Sequence, residues 1–286
     1  MKVFPHFDLT EYNSYKIQSH CRQAVFPESE QDLIEVYQKH GENIVLLGSG
    51  HNVILSKPYY EETFVIFNGN FSKVEVDESS ASLEAESGAS MLALSELALE
   101  HGLSGLEIFY DIPSSLGGAV VMNAGASGEE IKDVLVRVRY LDLEDMQIKT
   151  IEKSEIGFEY RNSFFQRNRD KLVLSTLLQL KKGNRDCIRE KMETIKAQRW
   201  AKQPKDFPNA GSVFKRPKGY FVGAIMDELK LKGYTVGGAK VSEKHGGFII
   251  NHDNAQGKDI LGIIDHVQQK VKERYGFFLE VEQRVI

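Results

Sequence analysis

Hydrophobic positions along this chain follow two rhythms, a period of two that suits strands and a period near 3.6 that suits helices. Ser29 followed by Asp32 has the form of a capping signal for a short helix through Tyr37, and NIVLL at 43–47 reads as a buried strand running into a glycine loop. FVIF at 64–67, KVEV at 73–76 and SLEAES at 82–87 read as strands. Ser90 then opens a helix with Leu94, Leu97 and Ala98 on one face, and Gly102 closes it. VLVRVRYLDL at 134–143, QIKTI at 147–151 and LVLSTLLQL at 172–180 predict strands of one antiparallel sheet. From Asp186 a helix carries Ile188, Met192, Ile195 and Arg199 and ends before Pro204 and Pro208, the best linker in the chain. A short helix at 221–230, a strand GFIIN at 247–251 and a long helix with Ile260, Ile263, Ile264, Val267 and Val271 along one stripe follow. Gly276 ends that helix. FFLEVEQRVI at 277–286 reads as a closing strand, with Glu280, Glu282 and Arg284 on one face and Phe277, Leu279 and Val281 on the other. Strands and helices do not alternate strictly, so the pattern predicts an α+β fold rather than a Rossmann domain.

Composition narrows the function more than the fold. With 286 residues, 41% of them hydrophobic, the chain can bury a sizeable core divided among two or three subdomains. A net charge of -5 argues against nucleic acid as a main partner and leaves acidic small molecules open through local basic residues. The N-terminus lacks an apolar signal core, and no apolar run approaches the ~20 residues that span a bilayer. A cytoplasmic protein without membrane insertion is expected. Cys21 and Cys187 are far apart and outside any CxxC pattern, so neither a disulfide framework nor a metal site is predicted.

Two glycine-rich stretches carry the candidate chemistry. LLGSGHN at 46–52 places Gly48 and Gly50 directly after a strand, where missing Cβ atoms let backbone N–H groups converge on an anion such as a diphosphate. A plain strand-end turn has the same signature. YDIPSSLGGAVVMNAGASGEE at 110–130 offers Gly117, Gly118, Gly125 and Gly128 beside small hydroxyl side chains and Asn123, a surface that a bulky planar ligand with phosphates could approach closely. A tightly packed loop is the alternative. Two such loops in one α+β unit favour a nucleotide cofactor.

Three further islands are unusually detailed: FEYRNSFF at 158–165, PNAGSVFKRP at 208–217 and KVSEKHGGFIIN at 240–251. Together with LGSGHN, GLSGLEIFYDIPSSLGGAVVMNAGA and LEVEQRVI, they resemble, in order from about Asn13 to Ile286, the UDP-N-acetylenolpyruvoylglucosamine reductase family of peptidoglycan precursor synthesis. The resemblance implies a two-subdomain, PCMH-like FAD-binding fold followed by a C-terminal α+β substrate-binding domain. Its boundaries would be 1–68 for the first FAD-binding subdomain, completed by the final strand 277–286, then 69–203 for the second and 204–276 for the substrate-binding domain. It further implies FAD as cofactor, NADPH as reductant, a UDP-sugar substrate and a monomer or weak oligomer.

Residue by residue, Gly48, Ser49, Gly50, His51, Asn52, Pro113, Ser114, Ser115, Gly117, Gly118, Ala119, Asn123 and Gly125 match the FAD-binding loops. Arg161 matches the arginine that holds the substrate carboxylate and stabilises an enolate, Ser212 the proton donor to C2, and Glu282 the carboxylate that works with that arginine. Lys202, Lys215, His245 and Arg284 match positions facing the nucleotide-sugar diphosphate or the cofactor phosphates. The region after 204 is short for the tyrosine-bearing substrate loop, so the chain resembles the shorter subtype of the family. It departs from the pattern at His51, where a serine is usual, at Arg216, where an asparagine is usual, and at KHGGF in place of KHANF. In some related sugar oxidases, a histidine in the corresponding loop carries covalently attached flavin.

Overall fold

A computed structural model describes residues 1–286, and in it the chain forms two compact units. The first comprises Met1–Val3, Val25–Ser49 and Phe64–Gln198, and the second Phe4–Ala24, Gly50–Thr63 and Arg199–Ile286.

In the first unit a five-stranded antiparallel sheet runs in the order Gln147–Glu152, Leu135–Asp142, Lys171–Gln179, Ser82–Glu86, Val74–Asp77. The period-two pattern is realised cleanly in Ser82–Glu86, where Leu83 and Ala85 are buried and their neighbours half-exposed. Those two residues share a core with Met91, Leu94 and Ala98 of the helix Met91–Glu100 and with Leu116, Ala119 and Val120 of the helix Leu116–Met122. Ser90 caps the first of these helices by accepting the N–H of Ala93, and Gly102 follows its end at φ +63°. A second core joins Leu33 and Val36 of the helix Glu30–His40 to Val65, Phe67, Leu172 and Leu174. That helix outruns its expected end at Tyr37 by three residues. It stops where Gly41, at φ +56°, turns its N–H back onto the Tyr37 carbonyl.

The second unit is built on the helix Gly257–Tyr275, whose stripe Ile260, Ile263, Ile264, Val267 and Val271 is buried throughout. Each of those side chains contributes roughly 1.5–3 kcal/mol by leaving water. The helix packs on an antiparallel three-stranded sheet, Thr235–Val236, Ala239–Val241 and Ile249–Asn251. Gly257 is required at its start, because a Cβ there would lie 2.0 Å from the Leu55 carbonyl oxygen. Arg284–Val285 pairs in parallel with Val53–Ile54. A further sheet sets Lys2–Asp8, His20–Phe26 and Tyr59–Ile66, each mostly within this unit, side by side in that order.

The C-terminal run differs from the expected strand 277–286. Only Arg284–Val285 forms a regular ladder, and upstream of it the backbone makes a single bridge between Val281 and Phe214. The alternation survives without the ladder: Leu279 and Gln283 are buried, whereas Glu280 and Arg284 are exposed. An extended segment that pairs with two different partners in turn keeps its facing while its hydrogen bonds change hands.

Candidate active site

In the first unit the loop 110–130 is shaped by backbone packing. Ser115 caps the helix Leu116–Met122 by accepting the N–H of Gly118 at 3.4 Å. A Cβ on Gly117 would meet the Ser87 Cβ at 2.8 Å, and one on Gly125 would lie 2.1 Å from the Glu129 carbonyl oxygen. Gly48 is confined by the Ser115 hydroxyl in the same way, at 2.8 Å. The protein's own atoms thus already fill the space where these Cβ atoms would sit. Ala119 lies in the core and Pro113 is exposed. Asn123 ends the helix in the left-handed region at φ 44°, fully buried, with its amide donating to Glu130 Oε2 at 3.0 Å and the Glu159 carbonyl at 2.9 Å.

Arg161 is fastened to this loop. Glu159 and Asn162 exchange backbone hydrogen bonds of 3.0 and 3.2 Å, so Tyr160 and Arg161 form the tip of a tight turn. Arg161 takes its second central position at φ 52°, where a type II turn favours glycine. Its Nη1 donates to the Asn123 carbonyl at 3.2 Å, its Nη2 to the Gly125 carbonyl at 2.7 Å, and its guanidinium lies 5.2 Å from the Tyr160 ring centroid. The cation is therefore half-buried and directed rather than free to sweep.

In the second unit the structure brings Ser212 and Glu282 onto adjoining backbone segments. Glu282 N–H donates to the Val213 carbonyl at 2.8 Å, and Lys215 N–H to that of Glu280 at 2.8 Å. On the other side, Val213 N–H donates to Gly247 at 2.9 Å. The turn before Ser212 passes through Gly211 at φ +79°, with Asn209 Oδ1 accepting the Gly211 N–H at 3.1 Å. Ser212 is exposed and Glu282 half-buried. Behind them lie two residues that sequence reasoning missed, Tyr15 and Gln283, joined by a 2.9 Å hydrogen bond. The only trace of Gln283 in the sequence is an amide at an inward position of a period-two run.

The other matched residues divide by partner. Gly50 is packed so closely that a Cβ would lie 2.0 Å from the Tyr12 carbonyl oxygen, while Asn52 donates to the Glu282 carbonyl at 3.2 Å and accepts from Arg284 N–H at 2.9 Å. Between them His51 is largely buried. Burial, and then the charge of Lys16, hold its pKa down to about 4, so the imidazole is neutral near pH 7. Lys215 pairs with Glu280 at 2.6 Å. His245 accepts the Gly247 N–H on Nδ1 at 3.1 Å, which assigns its ring proton to Nε2, and burial lowers its pKa. Lys202 and Arg284 are exposed.

Residues 203–286 match the C-terminal domain of UDP-N-acetylenolpyruvoylglucosamine reductase, and residues 22–151 match an FAD-binding domain. Over 229 residues the chain is 39% identical to the UDP-N-acetylenolpyruvoylglucosamine reductase of Francisella tularensis, covering 79% of this chain and 80% of that one. The chain belongs to the UDP-N-acetylenolpyruvoylglucosamine reductase family. A second reductase, from Petrotoga mobilis, is 38% identical over 232 residues, covering 78% of this chain and 75% of its own. The crystal structure of the reductase from Thermus caldophilus aligns with 100% of this chain and 99% of its own, with a TM-score of 0.84 at 30% identity. As a member of this reductase family the protein is an FAD-dependent oxidoreductase. Its FAD-binding domain includes both glycine loops. Arg161 falls between the two matched ranges.

The residues present fit FAD. In the first unit the hydroxyls of Ser114 and Ser87 are buried without a hydrogen-bond partner, and Ser114 lies on the glycine loop itself. In the second, His51 Nδ1 is buried and unpartnered. Buried polar atoms left unpaired cost roughly 1–3 kcal/mol each unless a ligand or water meets them.

Proposed function

We propose that this protein is an NADPH-consuming reductase that converts UDP-N-acetyl-3-O-(1-carboxyvinyl)-glucosamine to UDP-N-acetylmuramate in the cytoplasm. Held by the two glycine loops, FAD would supply the hydride chemistry, with NADPH as reductant and the enolpyruvyl C3 as acceptor, so that negative charge would develop around C2 and the adjoining carboxylate. Arg161 holds that carboxylate and stabilises the charge, a task for which a guanidinium already fixed on two carbonyls needs little reorganisation. Ser212 delivers the proton to C2. Serine is a weak acid, but the carbanionic acceptor is strongly basic, so a weak acid suffices. Glu282 works with Arg161 to orient the reacting carboxylate. Gly48 to Asn52 and Pro113 to Gly125 hold FAD, while Lys202, Lys215, His245 and Arg284 face the phosphates. The neutral His245 offers Nε2–H as a donor, and the Lys215–Glu280 pair screens that lysine until an anion competes for it.

The observation that carries this reading is the adjacency of Ser212 and Glu282, joined through the 2.8 Å hydrogen bond from Glu282 N–H to the carbonyl of Val213. A plain flavin-binding protein has no use for a serine and a carboxylate held at neighbouring positions. The test is an anaerobic titration of the purified yellow protein. NADPH is expected to bleach the flavin absorbance and the enolpyruvyl sugar nucleotide to restore it. Bleaching without restoration rejects the substrate, and no bleaching rejects the reductant. Because both halves use the same flavin, parallel double-reciprocal plots are expected, and intersecting ones count against this scheme. Acid precipitation that leaves all the yellow colour in the supernatant rules out covalent attachment at His51.

A further inference from the structure

We propose that Gln283, braced by Tyr15, is a positioning residue that holds Ser212 in place through the backbone of the turn on which the serine sits. The proposal rests on the reading of Ser212 as proton donor and adds how that donor is aimed.

Only Ala210 of the turn 208–212 is buried. Gly211 adopts a left-handed conformation at φ +79°, and no atom lies within 4 Å of where its Cβ would be. Beyond that one buried side chain, hydrogen bonds hold the turn. Gln283 is 4% exposed, and its Nε2 lies 3.0 Å from the Ala210 carbonyl, 3.3 Å from that of Gly211 and 3.4 Å from that of Ser212. Its Oε1 accepts the hydroxyl of Tyr15 at 2.9 Å. This arrangement fixes the amide's orientation, because the flipped amide would turn its oxygen toward three carbonyl oxygens. Tyr15 is fully buried and remains a neutral donor, since burial raises its pKa. Its own backbone is tied down as well: Asn251 Nδ2 donates to the Tyr15 carbonyl at 2.7 Å, while Asn251 N–H donates to Pro208 at 2.9 Å. The network thus reaches the turn at Pro208, Ala210, Gly211 and Ser212.

An amide is the side chain that suits this place. A glutamate would set its carboxylate against the three carbonyls, and a leucine would leave them and the buried tyrosine hydroxyl without this partner.

The test measures the two half-reactions separately by anaerobic stopped flow in Q283L, Y15F and S212A, each loaded with FAD. For Q283L, reduction by NADPH is expected to stay within about twofold of the parent, and reoxidation by the enolpyruvyl sugar nucleotide to slow roughly ten- to a hundredfold, the scale of a displacement near 1 Å. A larger solvent deuterium isotope effect on reoxidation should accompany that slowing, since proton delivery then limits the step; a merely structural defect would not produce it. Y15F, which keeps its ring, should move the same way by a smaller factor and carries the test if Q283L does not fold. Reoxidation at the parent rate in both folded variants overturns the proposal, as does equal slowing of both half-reactions. S212A separates the two readings. If it reoxidises at the parent rate, the serine assignment itself is wrong; if S212A is slow while Q283L and Y15F are fast, only the positioning role falls.

Discussion

The glycine loop at 110–130 and the turn at 208–212 present their side chains by opposite means. The loop is held by contact: Gly117 and Gly125 press against neighbouring protein atoms with no space for a methyl group, and Arg161 then binds the carbonyls so exposed. The turn is held by reach: Gly211 has open space where a Cβ would sit, while Asn251 and Gln283 grip the turn's backbone from elsewhere in the chain and Asn209 from within it. The first arrangement fails when atoms are added, the second when hydrogen bonds are removed.

Glycine substitutions give the sharpest contrast. Gly125→Ala should cost about 4 kcal/mol or more, or abolish folding, because the new methyl collides with a carbonyl oxygen in a packed hairpin. Thermal unfolding measures it, and a shift as small as that of an ordinary surface change would break the contact half of the comparison. Arg161→Met should lower kcat by about 10²–10³-fold while FAD stays bound, read from steady-state rates beside the visible spectrum.

His51 tests the same contrast through pH. Its folded-state pKa of about 4 lies below the ordinary 6.5, so between those values the unfolded chain takes up a proton that the folded one refuses. Stability from this group is full above pH 6.5 and declines as pH falls toward 4, by about 2 kcal/mol between pH 7 and pH 5. Urea unfolding of the FAD-free protein should show His51→Ser losing that much less than the parent over this interval. Equal losses would mean that the imidazole is solvated.

Gly211→Ala should cost only about 1 kcal/mol, the left-handed penalty without a clash, with unfolding again as the measure. Smallest is Lys215→Met, expected to change stability by less than about 1 kcal/mol because its partner Glu280 is solvent-exposed. Its effect should appear instead as a raised KM for the sugar nucleotide.

How much the sequence reveals follows the same division. Gly125, Asn123 and Arg161 stand within dense local motifs, and the stripe Ile260 to Val271 needs only helical spacing to be read. The strand Lys2–Asp8 was missed because it is exposed along nearly its whole length and shows no alternation. The hairpin joining Thr235–Val236 to Ala239–Val241 was also missed, although Gly237 and Gly238 mark its turn; its strands are too short to establish a period. Tyr15 and Gln283 were invisible for a different reason. Their bond spans 268 residues, and no local pattern announces a partner so far away. Motif resemblance singles out Ser212 and Glu282 as candidates, but only the fold shows that they lie on touching backbone segments.

That 268-residue span also sets a timetable. During synthesis the segment Phe64–Gln198, most of the first unit, emerges whole before Arg199 is made, so its antiparallel sheet can close by joining strands already in hand. The segments Phe4–Ala24 and Gly50–Thr63 must wait for a stretch that begins at Arg199, carrying Tyr15 without the partner that its hydroxyl later finds in Gln283. The half of the molecule that carries the proposed proton donor is thus the slow half, and on refolding from denaturant it should regain protection from hydrogen exchange after the other half has done so.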